Sequence, residues 1–423
     1  MSVPSVFANL ARRLRLLLNR YFVGCVLMLL VLLGGNIVGA EQTVGEQKFL
    51  YVTALANEIY VYDINNGHTL VKTINLPGYG RPRGIQASVT EHLLYVSYLD
   101  TPLKKSGLVA IDLANDTIAW VKLYPGTDAL SITPDEETIF MSSGEGATSN
   151  YFYVIDAATG IERGRVPVYQ NTHNGLVNIA GDRAYLSSTA YRYLVAADTT
   201  TLQPVKQIGP FSDFIRPFTV NGRGTLAFVN VNHLQGFEVG DLTTGNVLYR
   251  VVIPGNPNTQ EDPSHGIGMT PDERELWVAG ETNYVYIFDA TQMPPKQIGA
   301  VKLSRQPKWI SMSIDGRYIY PGSGDVVDRA SRTVVAHYHP SKRQLEVDFV
   351  DGVPVRAGDM YAKGQMTNAS GATTTPTTTP TTTPSTTPTT TPSITPTTMP
   401  TATPTPGEPN NPQKYMWLPN VLR

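Results

Sequence analysis

Seven short apolar strands, each closed by an aspartate, recur along this chain. They are Tyr60-Val61-Tyr62-Asp63, Val109-Ala110-Ile111-Asp112, Tyr153-Val154-Ile155-Asp156, Val195-Ala196-Ala197-Asp198, Phe237-Glu238-Val239-Gly240-Asp241, Tyr286-Ile287-Phe288-Asp289 and Asp325-Val326-Val327-Asp328. The closing aspartates stand 49, 44, 42, 43, 48 and 39 positions apart. A mean of about 44 is the size of a four-stranded propeller blade. Several are followed by Thr or Asn and then Gly, as in Asp156-Ala157-Ala158-Thr159-Gly160 and Asp241-Leu242-Thr243-Thr244-Gly245. An Asp that accepts from the backbone two residues on, with Gly supplying a positive φ, closes a hairpin. These aspartates read as structural rather than catalytic.

A second strand aligns in every repeat: Phe49-Leu50-Tyr51-Val52, Leu94-Tyr95-Val96, Ile139-Phe140-Met141, Ala184-Tyr185-Leu186, Ala227-Phe228-Val229, Leu276-Trp277-Val278 and Ile319-Tyr320-Pro321. The turns before them include Thr133-Pro134-Asp135-Glu136 and Thr270-Pro271-Asp272-Glu273, with Pro where type I and II turns accept it. No amphipathic helix is evident between the first strand and the last. The fold class is all-β, a seven-bladed β-propeller. The first repeat begins at Lys48 without a first strand, and Leu345–Val350 followed by Asp351-Gly352 supplies the missing template near the other end. That carboxyl strand is expected to complete blade one and close the ring, which removes open sheet edges.

The strands Tyr51-Val52-Thr53-Ala54 and Leu94-Tyr95-Val96-Ser97, the Thr-Pro-Asp turns and the Asp-x-x-Thr-Gly hairpins resemble the YVTN β-propeller repeat family, although no repeat spells that string in full. The stretches Asp63–Ile74 and Ser264-His265-Gly266-Ile267 are similar to exported members. The resemblance covers residues 48–361 and implies a propeller used for binding or display at a cell surface.

The two ends read differently. Arg12, Arg13, Arg15 and Arg20 precede an apolar run from Tyr21 to about Ala40 that closes on Val38-Gly39-Ala40. Residues 1–40 therefore read as a Sec-type signal peptide. The run is also long enough to span a bilayer, so an uncleaved anchor is the alternative. Cys25, the single cysteine, precedes most of the apolar run, where a lipobox needs it after. Residues 41–47 form a short lead-in. Residues 362–412 are a Thr/Pro-rich stalk, extended and without a core to bury. It offers many hydroxyls for O-glycosylation. Residues 413–423 are a short apolar tail, Lys414-Tyr415-Met416-Trp417-Leu418-Pro419, that resembles the sorting ends of exported bacterial proteins. The chain is expected to be exported, extracellular or held at the envelope, with membrane contact only through such an anchor or tail.

Charge excludes one class. The 423 residues carry 33 basic and 35 acidic side chains. Residues 1–40 hold four Arg and no acid, so the mature chain has 29 against 35, a charge of −6. A nucleic-acid partner needs a basic field instead. Without cysteine the mature chain is held by its core, not by disulfides.

Chemistry is expected where innermost strands begin, at one mouth of the channel. Ungapped alignment gives one leading residue per blade: Arg83, Asp128, Arg216, His265, Lys308 and, through the closing strand, Gln344. Repeat four is one residue shorter, so His173 or Asn174 takes that place. The set is polar and mostly basic, which suggests a mouth for a small anionic or carbohydrate-like ligand. The plainer alternative is that these groups bond carbonyls of neighbouring blades. His173 and His265 fall in blades four and six and are not read as neighbours. No His-Glu-x-x-His or EF-hand string occurs, and no metal, cofactor or catalytic residue is assigned. The leading function is a monomeric binding module for a small ligand or surface partner. The alternatives are a propeller enzyme (lactonase-like hydrolase or quinone-dependent dehydrogenase) and a structural envelope protein. Asp128 is the one acid in the set, which argues against the central calcium of such enzymes.

Overall fold

The computed structural model describes residues 45–53, 57–100, 105–145, 148–255, 261–341 and 343–367. The amino-terminal apolar segment, most of the Thr/Pro-rich stalk and the aromatic tail lie outside them. The described residues contain no helix, and their strands form seven antiparallel sheets. Blades two to seven each use four strands consecutive in sequence. Blade two is Arg81–Ser88, Leu93–Asp100, Lys105–Asp112 and Ile118–Leu123. The innermost strand of each blade touches those of its two neighbours, so the sheets close into a seven-bladed ring.

Each third strand ends on the aspartate read from the repeat. The reason is local. Asp156 Oδ1 accepts from the Thr159 amide at 2.8 Å and the Thr159 hydroxyl at 2.7 Å. Asp241 Oδ1 accepts from the Thr243 and Thr244 amides, and Asp328 Oδ1 from the Ser331 amide. The carboxylate satisfies turn amides that no strand can reach.

The apolar strands pack on both faces. Leu50, Tyr51 and Val52 are all fully buried: Tyr51 lies in one cluster and Leu50 and Val52 in another, with residues of blade seven. Tyr95, Met141 and Tyr153 fill the gap between blades two and three, and Phe140, Phe152 and Leu186 the next. A blade buried on both sides needs continuous apolar runs rather than alternation. Outermost strands face solvent, and Leu70, Val205 and Val252 are exposed there.

Gln344–Val350 pairs antiparallel with Glu46–Thr53, with Leu345 opposite Tyr51 and Val347 opposite Phe49. The closing strand thus completes blade one as the sequence implies. Pairing on the amino side starts at Glu46, two residues before the expected Lys48. An unexpected element follows. Asp351 and Gly352 have φ of 53° and 77° and turn the chain back. Val353–Ala357 then pairs along the axial edge of the closing strand as a fifth strand of blade one.

The next residues enter the channel. Met360 and Tyr361 are buried, and Trp309 Nε1 of blade seven donates to Met360 O at 2.7 Å. The Met269 amide of blade six and the Thr219 hydroxyl of blade five both donate to Ala362 O. Gly364 N donates to Val220 O and Lys363 Nζ to Val177 O of blade four. The segment caps inner-strand groups that have no further strand beside them. A Cβ on Gly268 would stand 2.8 Å from the Ala362 Cβ, so only glycine lets the plug come this close. The packed domain therefore runs through Met366, five residues past the boundary that composition placed at 361, because Ala362–Met366 is held by the channel wall.

Candidate functional site

The innermost strands begin at one end of the channel, and their leading side chains converge there. Arg83 of blade two grips Asp128 of blade three with two bonds, Nε to Oδ1 at 3.1 Å and Nη2 to Oδ2 at 3.0 Å. His173 of blade four donates from Nδ1 to Asp128 Oδ2 at 2.8 Å. Asp128 has no solvent exposure. Burial by itself would raise its pKa. The Arg83 guanidinium and His173 outweigh that and hold it well below the ordinary carboxylate range. Arg83 is pushed up in turn, chiefly by Asp128.

Five further residues that alignment of first strands could not find complete the mouth. Glu145, in the loop after the second strand of blade three, lies 3.4 Å from Arg83 Nη2, 3.4 Å from His173 Nδ1 and 3.6 Å from Arg216 Nη1. Glu261 sits 3.0 Å from Arg216 Nη2, and Asn232 receives the Arg216 Nε–H. Asp262 lies 3.7 Å from Lys308 Nζ and 3.9 Å from His265 Nε2. Arg343 is buried just before the closing strand, its guanidinium 3.7 Å from the centre of the Trp309 ring. Burial lowers its pKa to about 10, against the pull of Asp128.

Two readings from the sequence are corrected. The mouth is not mostly basic: Arg83, Arg216 and Lys308 face Asp128, Glu145, Glu261 and Asp262. Asp128 stands in the aligned set, but Glu145, Glu261 and Asp262 come from loops, which an alignment of strand starts passes over. His173 and His265 are neighbours, with ring centres 5.9 Å apart. Blades four and six are separated in sequence order, but their axial edges meet across a narrow channel.

The remaining candidates stand apart from the charged network. Of the two alternatives in repeat four, His173 takes the mouth position. The Asn174 side chain is fully buried without a hydrogen-bond partner. Gln344 is also buried and donates to Tyr320 O of blade seven, which fits the plainer expectation of a bond to a neighbouring blade.

Asp128, Glu145 and His173 place three donor atoms within 4.8 Å of one another, enough in number for a metal ion. Their carboxylates are occupied by Arg83 and Arg216, and a cation entering there would displace guanidinium groups that already neutralise them. The donor set fits an ion-pair network better than a metal.

Beneath the mouth, Arg343, Trp309, Met360 and Tyr361 form a buried layer, with Trp309 and Tyr361 edge to face at 5.8 Å. The mouth is therefore a shallow polar bowl on a solid floor. Around it the loops carry aromatic side chains. Tyr169 precedes the strand of His173, is 46% exposed and stacks on Tyr191 at 4.9 Å, and Tyr191 contacts Tyr193 at 5.1 Å. Phe214, just before the strand of Arg216, is also exposed.

No protein-family model and no curated protein matches the chain. Solved structures share its architecture. One is titled dihydro-heme d1 dehydrogenase NirN in complex with DHE, 12% identical over 74% of this chain and 73% of that one, with a TM-score of 0.51. Another belongs to a crystal structure of the mitotic checkpoint complex, 10% identical over 67% of this chain and 82% of that one, with a TM-score of 0.54. At such identities the likeness is one of fold, the propeller.

Proposed function

We propose that this chain is an exported, YVTN-like binding module whose channel mouth takes a carbohydrate-like ligand. The observation that carries the reading is the charge pairing of the mouth. Four cationic side chains, Arg83, Arg216, Lys308 and the buried Arg343, stand against the four carboxylates of Asp128, Glu145, Glu261 and Asp262. No excess of positive charge remains to focus an anion, so the anionic alternative loses its driving force. Paired Arg, Glu and Asn groups at a shallow rim still offer fixed donors and acceptors to hydroxyls. The Tyr169–Tyr191 stack, in the loops at the same end of blade four, offers apolar ring area for the faces of a sugar. The basic and apolar amino-terminal segment and the Thr/Pro tract support display outside the cell.

A glycan array probed with the purified protein, followed by calorimetry on the strongest hit, tests this. Tyr169→Ala and Arg216→Ala should each weaken binding by about tenfold, roughly 1.4 kcal/mol. Retained affinity in both variants would remove the mouth and the tyrosine stack as the site. Preferential binding of inorganic phosphate or simple carboxylates would restore the anionic alternative.

A further inference from the structure

The geometry points to a second ligand site at the opposite end of the channel, one that takes a small uncharged molecule with an apolar body and a single hydrogen-bond acceptor. Inner strands that begin at the charged mouth end here, around a cavity of about 410 Å³. That volume lies within the range of about 300–1,000 Å³ typical of small-molecule sites. Ile132, Met269, Met312 and Ile314 give it an apolar wall, and the plug residues Ala357–Ala362 close another side.

The polar groups decide the ligand class. Lys363 Nζ is held by Asp359 Oδ2 at 2.7 Å and by Val177 O at 2.9 Å. Glu136 Oε2 accepts from the Ser88 hydroxyl at 2.9 Å and the Thr90 amide at 2.7 Å. Each charge on the wall is thus satisfied within the protein, and two acids against one ammonium disfavour an anionic guest. Gln86 is the exception. It lines the cavity, is 1% exposed, and its Nε2 has no hydrogen-bond partner. An unmet buried donor is costly, so a wall with one such donor among apolar groups matches a guest bringing one acceptor. Because plug residues form part of the wall, a bound guest also ties the closing segment to the blades and raises the melting temperature.

Titration of methyl-13C-methionine protein with octanamide, followed by NMR, reads the location directly. The Met269 and Met312 methyls should shift, while Met141, packed between blades two and three, should not. Octanoate of the same length should bind at least about tenfold more weakly, the two affinities differing by ~1.4 kcal/mol or more. Gln86→Leu should cost octanamide about tenfold, yet melt no lower than wild type without ligand, since it removes the unmet donor. Ile314→Trp should fill the cavity and abolish the shifts. The site is overturned if Met269 and Met312 do not move, if octanoate binds as tightly as octanamide, or if Gln86→Leu leaves the affinity unchanged. If Ile314→Trp fails to fold, the glutamine variant decides alone.

Discussion

Two carboxyl groups in this protein sit in opposite electrostatic situations. Asp128 is fully buried but receives Arg83 and His173, and is strongly acidic. Asp128→Asn would leave the part-exposed Arg83 guanidinium with half its partner, and should cost about 2 kcal/mol in urea unfolding. Glu346, on the closing strand, is buried beside Asp348, with which it shares a side-chain hydrogen bond, and accepts the Ile314 amide at 2.7 Å. Burial first, and the neighbouring Asp348 second, push it up to about 8. A folded pKa above the unfolded one means that stability is full below about pH 4.5 and is lost as pH rises through about 8. The wild-type protein should therefore lose stability between pH 5 and pH 9. Glu346→Gln should flatten that dependence and gain about 2 kcal/mol at pH 9, as read from urea midpoints at the two pH values. A steeper loss in the variant would refute the assignment.

At the element scale the hairpin aspartates act as carboxylate caps, and acid should expose them. Burial would raise Asp156, but the Thr159 hydroxyl and amide and the Arg163 guanidinium hold it below the usual range. Its contribution is present above the unfolded pKa and lost as pH falls through the folded one. Asp156→Ala should cost about 1 kcal/mol at pH 7 and less at pH 2, measured by thermal melting at both. The plug offers a second prediction. A chain ending at Thr367 keeps Met360, Tyr361 and Lys363 in the channel and should melt like the full chain. A chain ending at Ala357 exposes the inner strand edges and the Trp309 ring, and should melt several degrees lower and become protease-sensitive.

The whole molecule depends on closure. Blade one draws two strands, Gln344–Val350 and Val353–Ala357, from the carboxyl side and three from residues near the amino end, so the ring is sealed by a pairing almost 300 residues apart in sequence. Stopping the chain before Gln344 removes that pairing, the buried Leu345 and Val347, and the floor of the mouth. Such a chain should lose its cooperative melting transition, whereas trimming an exposed fourth strand residue such as Leu70 to Ala should change stability by less than about 0.5 kcal/mol.

Blade number, strand order and closure were legible because a repeat writes the same local chemistry seven times: apolar runs for a doubly buried sheet, and an Asp-headed turn whose bonds lie within three residues. The amino-acid sequence alone determined those: blade number and strand order are settled by neighbours in the chain, and closure by a first repeat that lacks a strand whose template stands near the other end. It also placed Arg83, Asp128, His173, Arg216, His265 and Lys308 at one end of the ring. What it could not determine was the company they keep. Glu145, Glu261 and Asp262 come from irregular loops, Arg343 from just before the closing strand, and His265 meets His173 across the axis. The plug, likewise, follows the last repeat and matches none of its strands. These contacts are fixed by the width of the channel and by inner-strand groups seeking partners, quantities that exist only once seven blades have closed, and so the tertiary structure alone decided that the mouth is charge-balanced, floored and shallow.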